Sequence, residues 1–554
     1  MDNLKTFIMK KSYFICFLCF AMNMAHAQDK HPDNYKPYEY KYSTSQLKKF
    51  TKQHVKQAAE EMEEMDRIIS EGPFSASFES LSGHATPEWY KDAKLGIFFD
   101  WGLYSVAGYG EKGWSRARYP DWYLHHMNGQ YKAYHHKVWG ADFQRDDFIG
   151  LFNAREFDAT KVVQLVRSAG AKYIVPFSKH HDGFCMWDSD FTQRDVVDMN
   201  PGRDITRELV DACEQSGIYH GFYFSVDEYE YPLLVDNELK LRLWSKDMAP
   251  DNAGVVEAED EIFLDFEPGL HGKLVSGKVP VYNFMDDYIV PQAKDFIDKY
   301  DPDILWFDGE WLRPAEYYNT PEIVAYFYNH AEGRKEVAAN DRWGKGTREH
   351  GGDFYTSETD EVVEKTSYTW EENRSMSESY GYNRTDSLEN YLTADELIEM
   401  LVRIVAKGGN LNLIVNPEGS GKIPKLQVDL LRELGDWLSL NGEAIYATRS
   451  YESLCDNTQL GQPVWYTGSK DSKYGYAIIF DWPKSETFIS SNANIKWDTE
   501  VYMLGWDKPL EWVDRGKRWG VSVKIPEEML GDSSDRPCKH AWVLKFEHDI
   551  NDEY

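Results

Sequence analysis

Ile304-Leu305-Trp306-Phe307-Asp308-Gly309-Glu310-Trp311 is a short apolar run that ends in a carboxylate, a glycine and a second acid between tryptophans. A run of this length reads as a strand buried on both faces, and Asp308 as a side chain delivered to its end. Segments of helical period flank it at residues 287–300 and 321–330, so the local unit is helix, strand, helix. The unit recurs in both directions. Strand-like runs stand at 95–99, 173–177, 221–225, 337–340, 354–357 and 411–416, with helical segments at 159–169, 206–216 and 394–406. Alternation of this kind over about 350 residues predicts parallel strands closed into a (β/α)8-type, TIM-like barrel. An open doubly wound sheet is the competing arrangement, and no GxGxxG or GxxxxGK[ST] phosphate loop directly follows any strand.

The barrel is assigned to residues 85–445. A helix over 425–440 closes it, with Asn441-Gly442 as its stop signal. Beyond Tyr446 the helical period is lost, and runs at 476–480, 487–489, 501–504, 521–525 and 541–546 predict a C-terminal antiparallel β-sandwich over 446–554. Its expected role is to support the barrel, the alternative being a sugar-binding module. Upstream, residues 28–84 form a polar lead-in and one amphipathic helix at 44–69.

Residues 1–27 have the make-up of an export signal. Lys5, Lys10 and Lys11 precede an apolar stretch at 13–21, and Ala25-His26-Ala27 supplies the small residues that signal peptidase needs. Cleavage leaves Gln28 first and sends the protein to a bacterial periplasm or the medium. Cys16 and Cys19 lack the small residues that precede a lipoprotein cleavage site. No other apolar run approaches the about 20 residues of a membrane helix, so no membrane association is expected after cleavage. In an oxidising compartment Cys185, Cys213, Cys455 and Cys538 are available to pair, although their spacing selects no pairing. Beyond the export signal no two cysteines form a CxxC pair, which argues against a structural zinc site.

A net charge of −32 repels phosphate backbones and anionic membranes, which excludes nucleic acid as a partner. Nineteen Trp, 36 Tyr and 28 Phe supply flat rings that stack on sugars as well as fill a core. In a barrel the chemistry gathers where strands end. The ends here read Lys179-His180-His181-Asp182-Gly183-Phe184, then the Asp308 segment, Asn340-Asp341-Arg342-Trp343-Gly344, and Asp353-Phe354-Tyr355-Thr356-Ser357-Glu358. Asp308, with Trp306 and Trp311 close by, suits a nucleophile beneath a stacked sugar; a helix cap is the plain alternative. A retaining glycosidase needs two carboxyl groups about 5–5.5 Å apart, and Asp308 and Glu358 each end a strand of one barrel. Side chains of consecutive extended residues point to opposite faces, so His180 and His181 are expected to bind substrate hydroxyls and not one metal ion.

Together the segments 89–98 (Trp-Tyr-Lys-Asp-Ala-Lys-Leu-Gly-Ile-Phe), 180–184 (His-His-Asp-Gly-Phe), 305–311, 340–344 and 407–411 (Lys-Gly-Gly-Asn-Leu) resemble the α-L-fucosidases of glycoside hydrolase family 29, in order over residues 85–450. The resemblance implies a barrel followed by a β-sandwich, retaining exo-hydrolysis of terminal α-L-fucose by double displacement, a fucosylated oligosaccharide or glycoconjugate as partner, and no cofactor or metal. It implies Asp308 as nucleophile and Glu358 as acid/base, with Glu310 and Glu371 as rivals for the second role. It also implies that His180 and His181 hold fucose hydroxyls, that Tyr223 and Arg342 line the pocket, and that Trp306 and Tyr380 pack near the sugar. One position departs. Where the family reads His-Trp-Gly, this chain reads Asp100-Trp101-Gly102, and an acceptor-only side chain demands a donating hydroxyl. The C6 hydroxyl of L-galactose is such a group, with Asp100 or Tyr380 to receive it. α-L-Galactosidase is therefore the alternative activity, and a silent sugar-binding protein the alternative class, against which the presence of both carboxylates argues. Oligomeric state is open.

Overall fold

A computed structural model describes residues 43–111, 118–244, 262–348, 351–358, 368–457, 463–483, 485–489, 493–516 and 520–549. The export signal at 1–27, with Cys16 and Cys19, and the lead-in up to residue 42 lie outside the described residues.

Eight parallel strands make the barrel: β1 (Leu95–Phe99), β2 (Tyr173–Lys179), β3 (Tyr219–Ser225), β7 (Ile304–Asp308), β8 (Ala338–Ala339), β9 (Tyr355–Glu358), β10 (Trp370–Ser375) and β11 (Asn410–Val415). An antiparallel insertion, β4 (Glu230–Val235), β5 (Glu238–Leu243) and β6 (Ile262–Asp265), leaves the barrel between β3 and β7. The sheet order β8-β7-β3-β2-β1-β11-β10-β9 sets each strand beside its sequence neighbour and pairs the first with the last. The seam between β8 and β9 is crossed where the Asp353 amide donates to the Ala339 carbonyl (2.7 Å) and the Ala339 amide to Asp353 Oδ2 (2.8 Å).

Two barrel features differ from the sequence expectation. The strand expected at 337–340 keeps only two residues in the ladder, because the Asn340 side chain takes over from the backbone: it accepts from the Phe307 amide (2.9 Å) and donates to the Phe307 carbonyl (2.8 Å). The strand β10 is absent from the reading because Trp-Glu-Glu-Asn-Arg-Ser carries no apolar run. It is held instead by a polar core. Glu371, fully buried, accepts from Tyr90 and Tyr173 hydroxyls (2.7 Å each), Trp306 Nε1 (2.9 Å) and Asn412 Nδ2 (3.1 Å).

Outside the barrel, the helix Thr44–Glu71 starts at a Ser43–Gln46 capping box and packs on the helix Val290–Tyr300, where buried Lys294 binds Glu61 and Glu64. The helix Lys425–Asn441 ends at the expected Asn441-Gly442, with Gly442 as its C-cap, but the chain does not leave by a left-handed turn. Gly442 keeps right-handed helical angles and begins a further 3-10 turn. Beyond it stand two antiparallel sheets, one of β12 (Thr448–Asn457), β13 (Pro463–Ser469), β14 (Tyr474–Ile479), β16 (Tyr502–Met503) and β19 (Trp542–Glu547), the other of β15 (Glu486–Ile489), β17 (Trp512–Asp514) and β18 (Val521–Lys524). Val464, Ile479, Leu544, Val521 and Val523 fill the space between them. The opposite face packs on the barrel's closing helix, where Trp437 Nε1 donates to the Ala541 carbonyl (2.9 Å). The strands β12, β13 and β17 lie outside the expected runs. Among the described residues no disulfide forms, Cys185 and Cys213 being buried, and no helix is long and apolar enough to cross a membrane.

Candidate active site

An aromatic floor comes first. Phe98, Phe177, Tyr223 and Trp306 project inward from β1, β2, β3 and β7, with Phe177 stacked on Tyr223 (3.9 Å) and Tyr223 on Trp306 (5.7 Å). Their inward direction follows from alternation along each strand. Above this floor stands Asp308, the last residue of β7. Its Oδ2 accepts from the Tyr223 hydroxyl (2.6 Å) and lies 3.5 Å from His181 Nε2, whereas its Oδ1 is buried without a hydrogen-bond partner. Gly309 lets the chain turn here: a Cβ on it would stand 2.2 Å from Val226 Cγ2.

Arg342 gathers the acids. Its Nη1 lies 2.8 Å from Glu310 Oε1 and 3.7 Å from Asp308 Oδ1, its Nη2 2.8 Å from Glu358 Oε1, and its guanidinium sits 5.3 Å above Trp306. The preceding residues explain its aim. While the Asn340 amide binds β7, Asp341 Oδ1 accepts from the Thr356 amide (3.0 Å) and hydroxyl (2.8 Å), which then accepts from Arg342 Nε (2.8 Å). Asn340 and Asp341 thus tie the rim to the strands on either side. Burial, reinforced by the charge of Asp308, raises the Glu310 carboxyl above its ordinary range against the pull of Arg342. Its Oε2 has no partner, and Arg348 joins Arg342 on Oε1 (3.2 Å). Glu358, with a side chain 37% exposed, is the solvent-facing member.

His180 and His181 lie together, ring centroids 4.6 Å apart, contrary to the alternation expected of them. The strand β2 ends at Lys179, and its register against β3 slips between Phe177 and Lys179, so the pair follows an irregular turn and not a pleat. Gly183 completes that turn at φ +74°, where any Cβ would collide with Glu228 Oε2. Glu228 is itself fixed by Lys179 (3.1 Å) and Lys278 (2.5 Å). Burial, then the neighbouring His181, holds His180 well below the usual histidine range, so it is neutral.

Asp100 follows β1 and is fully buried. Oδ1 accepts from Tyr104 and Oδ2 has no hydrogen-bond partner. It does not balance Arg118, which binds Glu378 (3.4 Å) and Asp386 (3.2 Å), and Arg116 lies outside the described residues. Burial lifts the Asp100 carboxyl to about 7. Burial and the Asp100 charge together push Asp121, whose Oδ2 is 4.0 Å from His180 Nε2, well above its ordinary value.

Of the residues singled out in sequence, the structure joins Asp308, Glu358, Arg342, His181, Tyr223 and Trp306, with Glu310, into one contiguous network, and sets His180 and Asp100 beside it. Tyr380 stacks on Tyr119 (5.5 Å) and donates its hydroxyl to the Asn373 carbonyl (2.6 Å). Glu371 is not at the rim. It is the second residue of its strand, deep in the barrel, with both oxygens occupied. Sequence reading missed Asp121, Trp122 and Trp244, whose rings or carboxyl reach the histidine pair. For Asp121 and Trp122 the available signal was the density of His, Trp and Tyr in the long segment after β1; Trp244 lies in the insertion after β3.

A model described as alpha-L-fucosidase matches residues 61–443, and one described as the alpha-L-fucosidase C-terminal domain matches residues 456–547. The plasma alpha-L-fucosidase of Pongo abelii is 31% identical over 480 residues, 85% of this chain and 92% of that protein. The alpha-L-fucosidase of Branchiostoma floridae is 31% identical over 479 residues, 85% of this chain and 95% of its own length. The solved Thermotoga maritima alpha-fucosidase in complex with fucose superposes with a TM-score of 0.67 at 29% identity, covering 85% of this chain and all (100%) of that one.

Proposed function

The chain belongs to the α-L-fucosidase family, and from that premise we propose that it is a retaining exo-glycosidase that releases terminal α-L-fucose from oligosaccharides or glycoconjugates. The observation that carries the reading is the shared guanidinium. Arg342 binds Glu358 at 2.8 Å and faces Asp308 at 3.7 Å, so an enclosed and a solvent-facing carboxylate flank one position.

Asp308 acts as nucleophile. Tyr223 occupies Oδ2 and leaves Oδ1 free to attack the anomeric carbon from inside the pocket. As the Oδ1–C1 bond forms, the bond to the leaving oxygen breaks, and Glu358 gives that oxygen its proton. Water then enters on the solvent side, Glu358 takes its proton, and the new C1–O bond displaces Asp308. Two inversions return the original configuration. Arg342 supports the negative charge that moves among these acids, and neutral His180, with Nδ1 unpartnered, is available to a sugar hydroxyl. The partner is thus a fucosylated glycan met in a bacterial periplasm or outside the cell, to which residues 1–27 would direct the chain.

Proton NMR during hydrolysis of an aryl α-L-fucoside tests the reading. α-L-Fucose is expected as the first-formed anomer, and initial β-L-fucose would overturn double displacement. One observation favours a second reading as α-L-galactosidase: a buried carboxylate, Asp100, stands where the family carries histidine, and its Oδ2 has no hydrogen-bond partner. A loss on aryl α-L-galactoside alone in Asp100→Asn supports that reading. An equal loss on both glycosides, up to about tenfold for one hydrogen bond, assigns Asp100 to a hydroxyl that the two sugars share.

A further inference from the structure

Between Asp308 and solvent the wall is built of tryptophan, and the chemistry at the anomeric carbon makes no use of it. Trp311, three residues beyond Asp308, is 40% exposed. Its ring stands edge-on to His181 (centroids 5.5 Å, 63° between planes) and to Trp244 (6.1 Å, 79°). Trp244 stacks on His181 (5.4 Å, 18°) and is only 9% exposed. The inserted sheet puts it there. Asp227 accepts two bonds from Arg242 on β5 (2.8 and 3.2 Å), and the Trp244 amide donates to the Tyr229 carbonyl (2.8 Å).

The histidine that touches the nucleophile is therefore backed by one indole and flanked by a second that reaches solvent. Exposure rises outward, from 1% at His181 to 40% at Trp311. Perpendicular indoles make a corner with an apolar face on each side, suited to a flat ligand whose C–H bonds meet the rings and whose hydroxyls stay in water. From the anomeric carbon, the group extending toward solvent is the leaving group. We propose that Trp311, backed by Trp244, is the binding platform for the leaving group, and that this group is a pyranose with an apolar C–H face. The inference rests on the glycosidase reading above.

Steady-state kinetics of the intact protein on two donors tests it. The donors are α-L-fucosyl fluoride, whose leaving group is too small to reach the tryptophans, and an α-L-fucosyl-galactose disaccharide. Trp311→Ala is expected to lower kcat/KM for the disaccharide about tenfold more than for the fluoride, chiefly through KM. Trp311→Phe should restore most of the difference. Equal losses on both donors would overturn the platform, since the ring would then serve the fold or the fucosyl half, and so would an undiminished disaccharide rate. A wild-type protein inert on both donors would instead overturn the glycosidase reading, and the platform with it.

Discussion

Two carboxylates on nearby barrel strands have opposite surroundings. Glu371, near the start of β10, accepts four hydrogen bonds, from two tyrosines, one tryptophan and one asparagine. Asp308, at the end of β7, has one oxygen bound by Tyr223 and the other buried without a partner. Trp306 belongs to both, donating to Glu371 from its edge while its face lies beneath Arg342. A buried acid whose bonds are all made holds strands together; one with a bond left over is prepared for something absent. His180 Nδ1, Asp100 Oδ2 and Glu310 Oε2 share the second condition. These four unpartnered atoms stand at the site, and the saturated Glu371 in its foundation.

The sharpest way to break this contrast is to remove each acid in turn. Asp308→Gly should lower kcat/KM on an aryl α-L-fucoside at least about a thousandfold, near 4 kcal/mol, with no loss of thermal stability and partial rescue by azide. Activity within tenfold of wild type would place the nucleophile elsewhere. Glu371→Leu should behave oppositely. It strands two hydroxyls, an indole N–H and an amide, at a stability loss of about 3 kcal/mol or more measured by urea unfolding. A variant as stable as the wild type would show that the polar core under β10 is dispensable.

Smaller effects sharpen the comparison within the rim. Glu358→Ala should cost about a hundredfold on a disaccharide and far less on an activated aryl glycoside, because only a poor leaving group needs a proton. If Glu310→Ala shows that pattern instead, the acid/base role passes to Glu310, whose carboxyl burial already raises.

The smallest effect concerns pH. Burial raises Asp100 to about 7, so between its unfolded value and about 7 the folded chain binds more protons than the unfolded one. Its contribution to stability is present at low pH and lost as pH rises through that window. Asp100→Asn should remove this loss, and its Tm relative to wild type should rise between about pH 4 and pH 7. A relative Tm that falls over the same range would mean that Asp100 is held as a charge.

The sequence by itself determined what depends on local pattern. The run 304–308 had to be a buried strand because its apolar residues are consecutive, and Asp308 had to stand at its end; structure and reading agree there to the residue. The helix Ala394–Ala406 was equally legible, and the structure adds a Thr393–Glu396 capping box at its start. Only the tertiary structure decided the rest. The strand β10 pairs despite a polar sequence, because Tyr90, Tyr173 and Trp306, distant in the chain, supply the donors that make burying Glu371 tolerable. The insertion β4–β6 brings Trp244 against His181 from 63 residues away in sequence. Which acid serves structure and which serves chemistry could not be read from Glu310, Glu358 and Glu371 as letters, since a carboxylate's role follows from the donors around it. Those donors come from strands that meet only when the barrel closes.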